Sequence, residues 1–70
     1  MAPNQFKELS ELLDDAIQSD KLNAWQMNFI RSFSERVEAF QERTYVSDKQ
    51  LAALRGIQIT LYGSASLEIT

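Results

Sequence analysis

Apolar side chains recur every three or four positions along most of this chain, and that spacing predicts three helices. In the first segment Phe6, Leu9, Leu13, Ala16 and Ile17 share one arc, with Leu12 at its edge. It runs from a capping Asn4 to about Ser19 (residues 5–19), where Asp20 and Lys21 break the pattern. In the second, Leu22, Trp25, Phe29, Phe33, Val37 and Phe40 step by three or four residues, and Ile30 widens the stripe. Asn23 stands where a cap belongs, with Gln26 three residues on to reach back, and Leu22 and Met27 occupy the positions of a hydrophobic staple. The expected helix covers residues 24–42 and is roughly 28 Å long. The third start signal is Ser47-Asp48-Lys49-Gln50, a capping box flanked by a Val46/Leu51 staple, with Asp48 at the positive end of the helix dipole. Leu51, Leu54, Ile57, Leu61 and Tyr62 continue at helical spacing to about residue 61, and Gly63 suits a left-handed terminating position.

The end of the chain supports two readings. Residues 57–62 also alternate apolar and polar side chains, and so do Leu67-Glu68-Ile69 after the Gly63-Ser64-Ala65-Ser66 turn. With Gly56 closing the helix early, residues 57–70 would form a β-hairpin. An isolated two-stranded hairpin is marginal unless it packs on a helix, which favours the helical reading. The expected fold is all-α: a small three-helix bundle in one domain spanning residues 1–70, up-down-up because short loops force antiparallel neighbours. The aromatic-rich second helix is expected to be its spine.

Size limits stability, because a 70-residue chain buries only about 60% of the surface its unfolded form exposes. With no cysteine there is no disulfide and no thiolate metal site, and with no histidine any metal would rest on carboxylates alone. No metal and no cofactor is therefore expected. At 44% hydrophobic residues the chain is too apolar for intrinsic disorder. No apolar run approaches the ~20 residues of a membrane span. The N-terminus lacks the basic-then-apolar pattern of a signal peptide, so the expected location is the cytoplasm.

The net charge of −3 is unevenly spread. Residues 1–21 hold all of it, with Lys7 and Lys21 against Glu8, Glu11, Asp14, Asp15 and Asp20. The remainder balances, so no basic stripe exists to neutralise several phosphates, and direct duplex binding is disfavoured.

Catalysis by general acid–base or nucleophilic chemistry usually needs a histidine, a thiol or a perturbed lysine, and the first two are missing. Ser47 beside Lys49 is explained by capping. Asp14 and Asp15 are adjacent on a helix and diverge, unlike the facing carboxylates of a glycosidase. There is no glycine-rich phosphate loop. The expected protein is not an enzyme and acts through its surface.

Three features could make that surface specific. Trp25 is either the end of the core stripe or an anchor for a partner, and Arg36 and Arg43 follow along the same edge one helical repeat apart. Tryptophan and arginine dominate binding hot spots, although Glu35 and Glu42 could instead make this a solvated, salt-bridged face. Glu8, Glu11 and Asp15 line one side of the first helix, either as a solubilising face or as a patch for a basic protein surface. Tyr45, between the second and third helices, either covers the end of the bundle or stands free for contact.

The stretch Leu22-x-x-Trp25-x-x-x-Phe29-Ile30-x-Ser32, followed by Val46-Ser47-x-Lys49-Gln50-x-x-x-Leu54-x-x-Ile57, resembles a short helical module. That module recurs in bacterial and phage proteins of DNA replication and nucleic-acid processing, usually as an appendage to a larger enzyme. The likeness covers residues 22–57, and this chain departs from it at Gly56 and in its β-branched tail. It implies a small phage-type accessory or inhibitor protein that contacts replication, transcription or defence machinery, with no catalytic residue to carry over. A direct single-stranded nucleic-acid binder using Trp25, Tyr45 and the arginines is one alternative. A self-associating structural bundle, such as a homodimer, is another.

Overall fold

Four segments of regular backbone form in chain order: α1 (Pro3–Gln18), α2 (Ala24–Phe40), a 3-10 turn (Gln41–Arg43) and α3 (Asp48–Tyr62). The computed structural model describes residues 1–69. The fold is an all-α three-helix bundle, with no strand among the described residues.

Each helix begins on a local device. Asn23 accepts from the Gln26 amide at 2.8 Å while the Gln26 side chain accepts from the Asn23 amide at 3.0 Å. Ser47 and Gln50 make the same reciprocal pair at the head of α3. These bonds satisfy amides that have no partner inside the helix. The start of α1 differs from expectation. Asn4 lies inside the helix, which starts at Pro3, and the Gln5 side chain accepts from the Ala2 amide at 3.0 Å. Proline at the first helical position has its φ already set and lacks an amide that would go unpaired there anyway, so it displaces Asn4 as the start signal.

The core is formed by Leu9, Leu12, Leu13 and Ala16 from α1, Ile30, Phe33 and Val37 from α2, Leu54 and Ile57 from α3, and Leu67 from the tail. Leu12 is central rather than marginal, and Ile17 is half exposed at the end of α1. The spine is α1 and not α2: α1 packs on both other helices, whereas α2 and α3 scarcely approach each other. One flank of α2 is therefore left uncovered.

The second helix stops two residues short of expectation. Gln41 adopts φ +53°, which costs a non-glycine residue about 1–3 kcal/mol and so must be held by its surroundings. Its amide donates to the Val37 carbonyl, its side chain to the Glu38 carbonyl, and its own carbonyl accepts from both the amide and the hydroxyl of the buried Thr44. The N-terminal ammonium donates to the Glu42 carbonyl at 2.8 Å.

Residues 57–62 are helical, which excludes the hairpin; Thr70, the last residue of that alternative, lies outside the described residues. Helix α3 runs through Gly56 and ends at Gly63 (φ +85°), whose amide closes on the Ile59 carbonyl. Ile57 and Gln58 turn inward together while Ile59 is exposed, a helical and not an alternating arrangement. Residues 64–69 are irregular and fold back so that Leu67 is fully buried. A Cβ at Gly56 would meet nothing within 4 Å. Gly56→Ala is thus expected to raise stability by about 0.5–1 kcal/mol, read as a higher denaturation midpoint in urea at unchanged slope.

Candidate partner-binding surface

The uncovered flank of α2 carries a stripe of aromatic and arginine side chains. Helical spacing puts Trp25, Phe29, Phe33, Arg36 and Phe40 one above another. Trp25 is 62% exposed, so it is not the end of the core. It lies nearly parallel to Phe29, with ring centroids 5.6 Å apart and an interplanar angle of 3°. Phe29 in turn stacks on the buried Phe33 at 5.5 Å. The ladder passes from solvent to core in three rings, so the exposed tryptophan is backed by a stacked ring that reaches the core.

Two cavities open along this stripe. One, of about 350 Å³, lies between α2 and the first turn of α3 and is lined by Phe29, Ser32, Phe33, Arg36 and Gln50. The other, of about 260 Å³, is lined by Arg36, Phe40, Arg43 and Tyr45. Arg36 belongs to both. The break at Gln41 ends the regular helix before Arg43, yet the 3-10 turn still delivers Arg43 and Tyr45 to the same groove as Arg36. Tyr45 is 76% exposed and does not cap the bundle, and Phe40 beside it is also exposed. Four of the residues read from sequence (Trp25, Arg36, Arg43 and Tyr45) therefore share one surface. Phe40 and the Phe29–Phe33 ladder belong with them; their spacing was visible, but it reads equally as core.

The acidic residues lie elsewhere, in a groove between α1 and α3 that Glu8, Glu11 and Asp15 share with Gln58, Tyr62 and Ser66. Two of the three carboxylates are already engaged. Glu8 accepts from the Ser66 hydroxyl at 3.0 Å, and Asp15 accepts from the Tyr62 hydroxyl. Glu11 is exposed. The patch acts in part as a clasp holding the end of α3 and the tail against α1. Nothing in a linear pattern pairs Asp15 with Tyr62, because the match depends on how α1 and α3 align.

Partial burial, then the hydrogen bond to Asp15, then the charges of Asp15 and Glu11 push the Tyr62 phenol up from its ordinary 10 to about 12. A phenol whose pKa rises on folding stabilises the fold below its unfolded value, and that contribution fades as pH climbs from 10 to about 12. Tyr62→Phe is expected to be less stable than the parent at neutral pH and to lose less stability over that alkaline window. Urea unfolding at stepped pH checks this.

Among the described residues no group of three or more acidic, histidine or cysteine side chains could hold a metal ion, and no helix is long and apolar enough to cross a membrane. No family model, curated protein or solved structure matches the chain.

Proposed function

We propose that this chain is a non-enzymatic, phage-type accessory or inhibitor protein that binds and modulates a protein of nucleic-acid metabolism or defence. The binding surface is the uncovered flank of α2. The observation that carries this reading is the exposure of Trp25, Phe40 and Tyr45 on the side that bears Arg36 and Arg43. Large aromatic rings left in water on a small bundle and interleaved with arginines are the composition of a binding hot spot. A chain without histidine or cysteine has few routes to chemistry of its own.

Affinity capture from a bacterial extract tests the reading. Trp25→Ala and Arg36→Ala are each expected to weaken capture at least about tenfold, roughly 1.4 kcal/mol. Arg36→Ala, at an exposed site, should change stability by no more than about 0.5 kcal/mol. Glu11→Lys should leave capture unchanged. Capture indifferent to both α2 variants, or abolished by Glu11→Lys, would move the surface to the acidic groove.

The stacked Trp25–Phe29 pair also suits a nucleobase, which keeps single-stranded nucleic acid as a second reading. Its mark is binding to an oligonucleotide that weakens steeply with salt.

A further inference from the structure

Resting on the protein-binding reading above, we infer that the two cavities flanking Arg36 receive an acidic amphipathic helix of the partner. That helix inserts two apolar side chains one heptad apart and sets a carboxylate between them against the Arg36 guanidinium.

The spacing comes from α2 itself. Phe33 floors the first cavity and Phe40 lines the second. Seven residues separate them, an axial rise of about 10.5 Å, which a partner helix lying alongside would match with side chains at equivalent heptad positions. Each cavity, at about 350 and 260 Å³, has room for a large apolar side chain. Arg36 borders both, so the group facing it falls between the two inserted side chains. Bounded by aromatic walls, a guanidinium gains most from a bidentate carboxylate, and Arg43 offers a second such contact at the far cavity.

The same surface fits a nucleic acid less well. From Arg31 to Arg43 three arginines stand against Glu35, Glu38 and Glu42, a local balance of zero. Binding a phosphate chain draws its strength from several neutralised charges, whereas one carboxylate needs one arginine. The acidic excess belongs to residues 1–21, and at physiological salt its field decays over about 8 Å. A second copy of the chain is also a poor occupant. The exposed large apolar side chains are Ile17, Trp25, Phe40, Tyr45, Ile59 and Tyr62, and no two of them stand a heptad apart.

Trp25 is the only tryptophan and stacks on Phe29, which lines the first cavity, so its emission reports docking. The probe is a synthetic helix about three heptads long, with leucines one heptad apart and a glutamate midway. Titrating it into the intact protein should change Trp25 emission saturably, and Arg36→Glu should weaken binding at least about tenfold. Exchanging the peptide glutamate for lysine should abolish binding to the parent and restore it to the Arg36→Glu variant. An unchanged emission, or equal binding of the acidic and lysine peptides, overturns the inference. If capture of a cellular protein still depends on Trp25 and Arg36, only the acidic-helix inference has failed. If oligothymidylate binds instead with steep salt dependence, or Arg36-dependent dimers form, the protein-partner reading fails with it.

Discussion

Leu54→Ala is expected to remove about 3–5 kcal/mol of stability, which for a chain of this size is much of the total. Leu54 is fully buried on α3, one of ten buried hydrophobic residues among those described. Truncating it takes away the transfer free energy of three carbons and leaves a cavity that the surrounding core closes only in part. A thin core makes the effect larger in proportion, because each side chain supplies a greater share of the burial. Equilibrium urea unfolding followed by far-ultraviolet circular dichroism measures it. A loss below about 1 kcal/mol would mean that α3 is not packed as described.

The second large effect is expected at Gln58, a buried polar residue at 2% exposure. Its side-chain oxygen accepts from the amides of Ser66 and Leu67, at 3.0 and 2.9 Å. Together with the Ser66–Glu8 contact and the burial of Leu67, those two bonds hold the tail over the core, since residues 64–69 have no ladder or helix of their own. Gln58→Ala should cost about 2–4 kcal/mol, combining a cavity with two amides left without their acceptor. Gln58→Met separates the two contributions: it fills the space and still lacks the acceptor. It should recover part of the loss while the Leu67 amide continues to exchange quickly with solvent. Slow exchange at Leu67 in both variants would show that burial of its side chain, and not Gln58, docks the tail.

These two residues mark what was legible in the sequence. Leu54 could be assigned to the core from spacing alone, because helical periodicity is a local property. The caps at Asn23 and Ser47 and the stop at Gly63 could be read for the same reason. Gln58 could not: a glutamine between two isoleucines looks polar and outward, and its role arises only once the tail lies across α3. The same limit explains Ile17, which keeps the helical phase of the core but lies at the end of α1, half exposed. It explains Trp25 as well. Its phase belongs to the core stripe, but α3 scarcely approaches α2 and that end of the stripe stays in water, which is a tertiary property. The break at Gln41 carries no glycine or proline to announce it. It is held by the bonds from Thr44 to the Gln41 carbonyl, and the adjoining Glu42 carbonyl accepts from the N-terminal ammonium, 41 residues away in the chain.

At the candidate site the arginines and Tyr45 were identifiable by type, whereas their convergence with Phe40 depends on the 3-10 turn that follows α2. The acidic residues were equally visible, yet two of them are occupied inside the molecule by Ser66 and Tyr62. Counting charges cannot distinguish a carboxylate awaiting a partner from one that already has a hydroxyl.

The most direct test of the α2 surface is a residue-by-residue map of backbone amide shifts as the isolated partner is added to isotope-labelled protein. Perturbations should concentrate between Trp25 and Tyr45 and at Gln50, with α1 nearly silent. A map centred on Glu8, Glu11, Asp15 and Tyr62 would contradict the account.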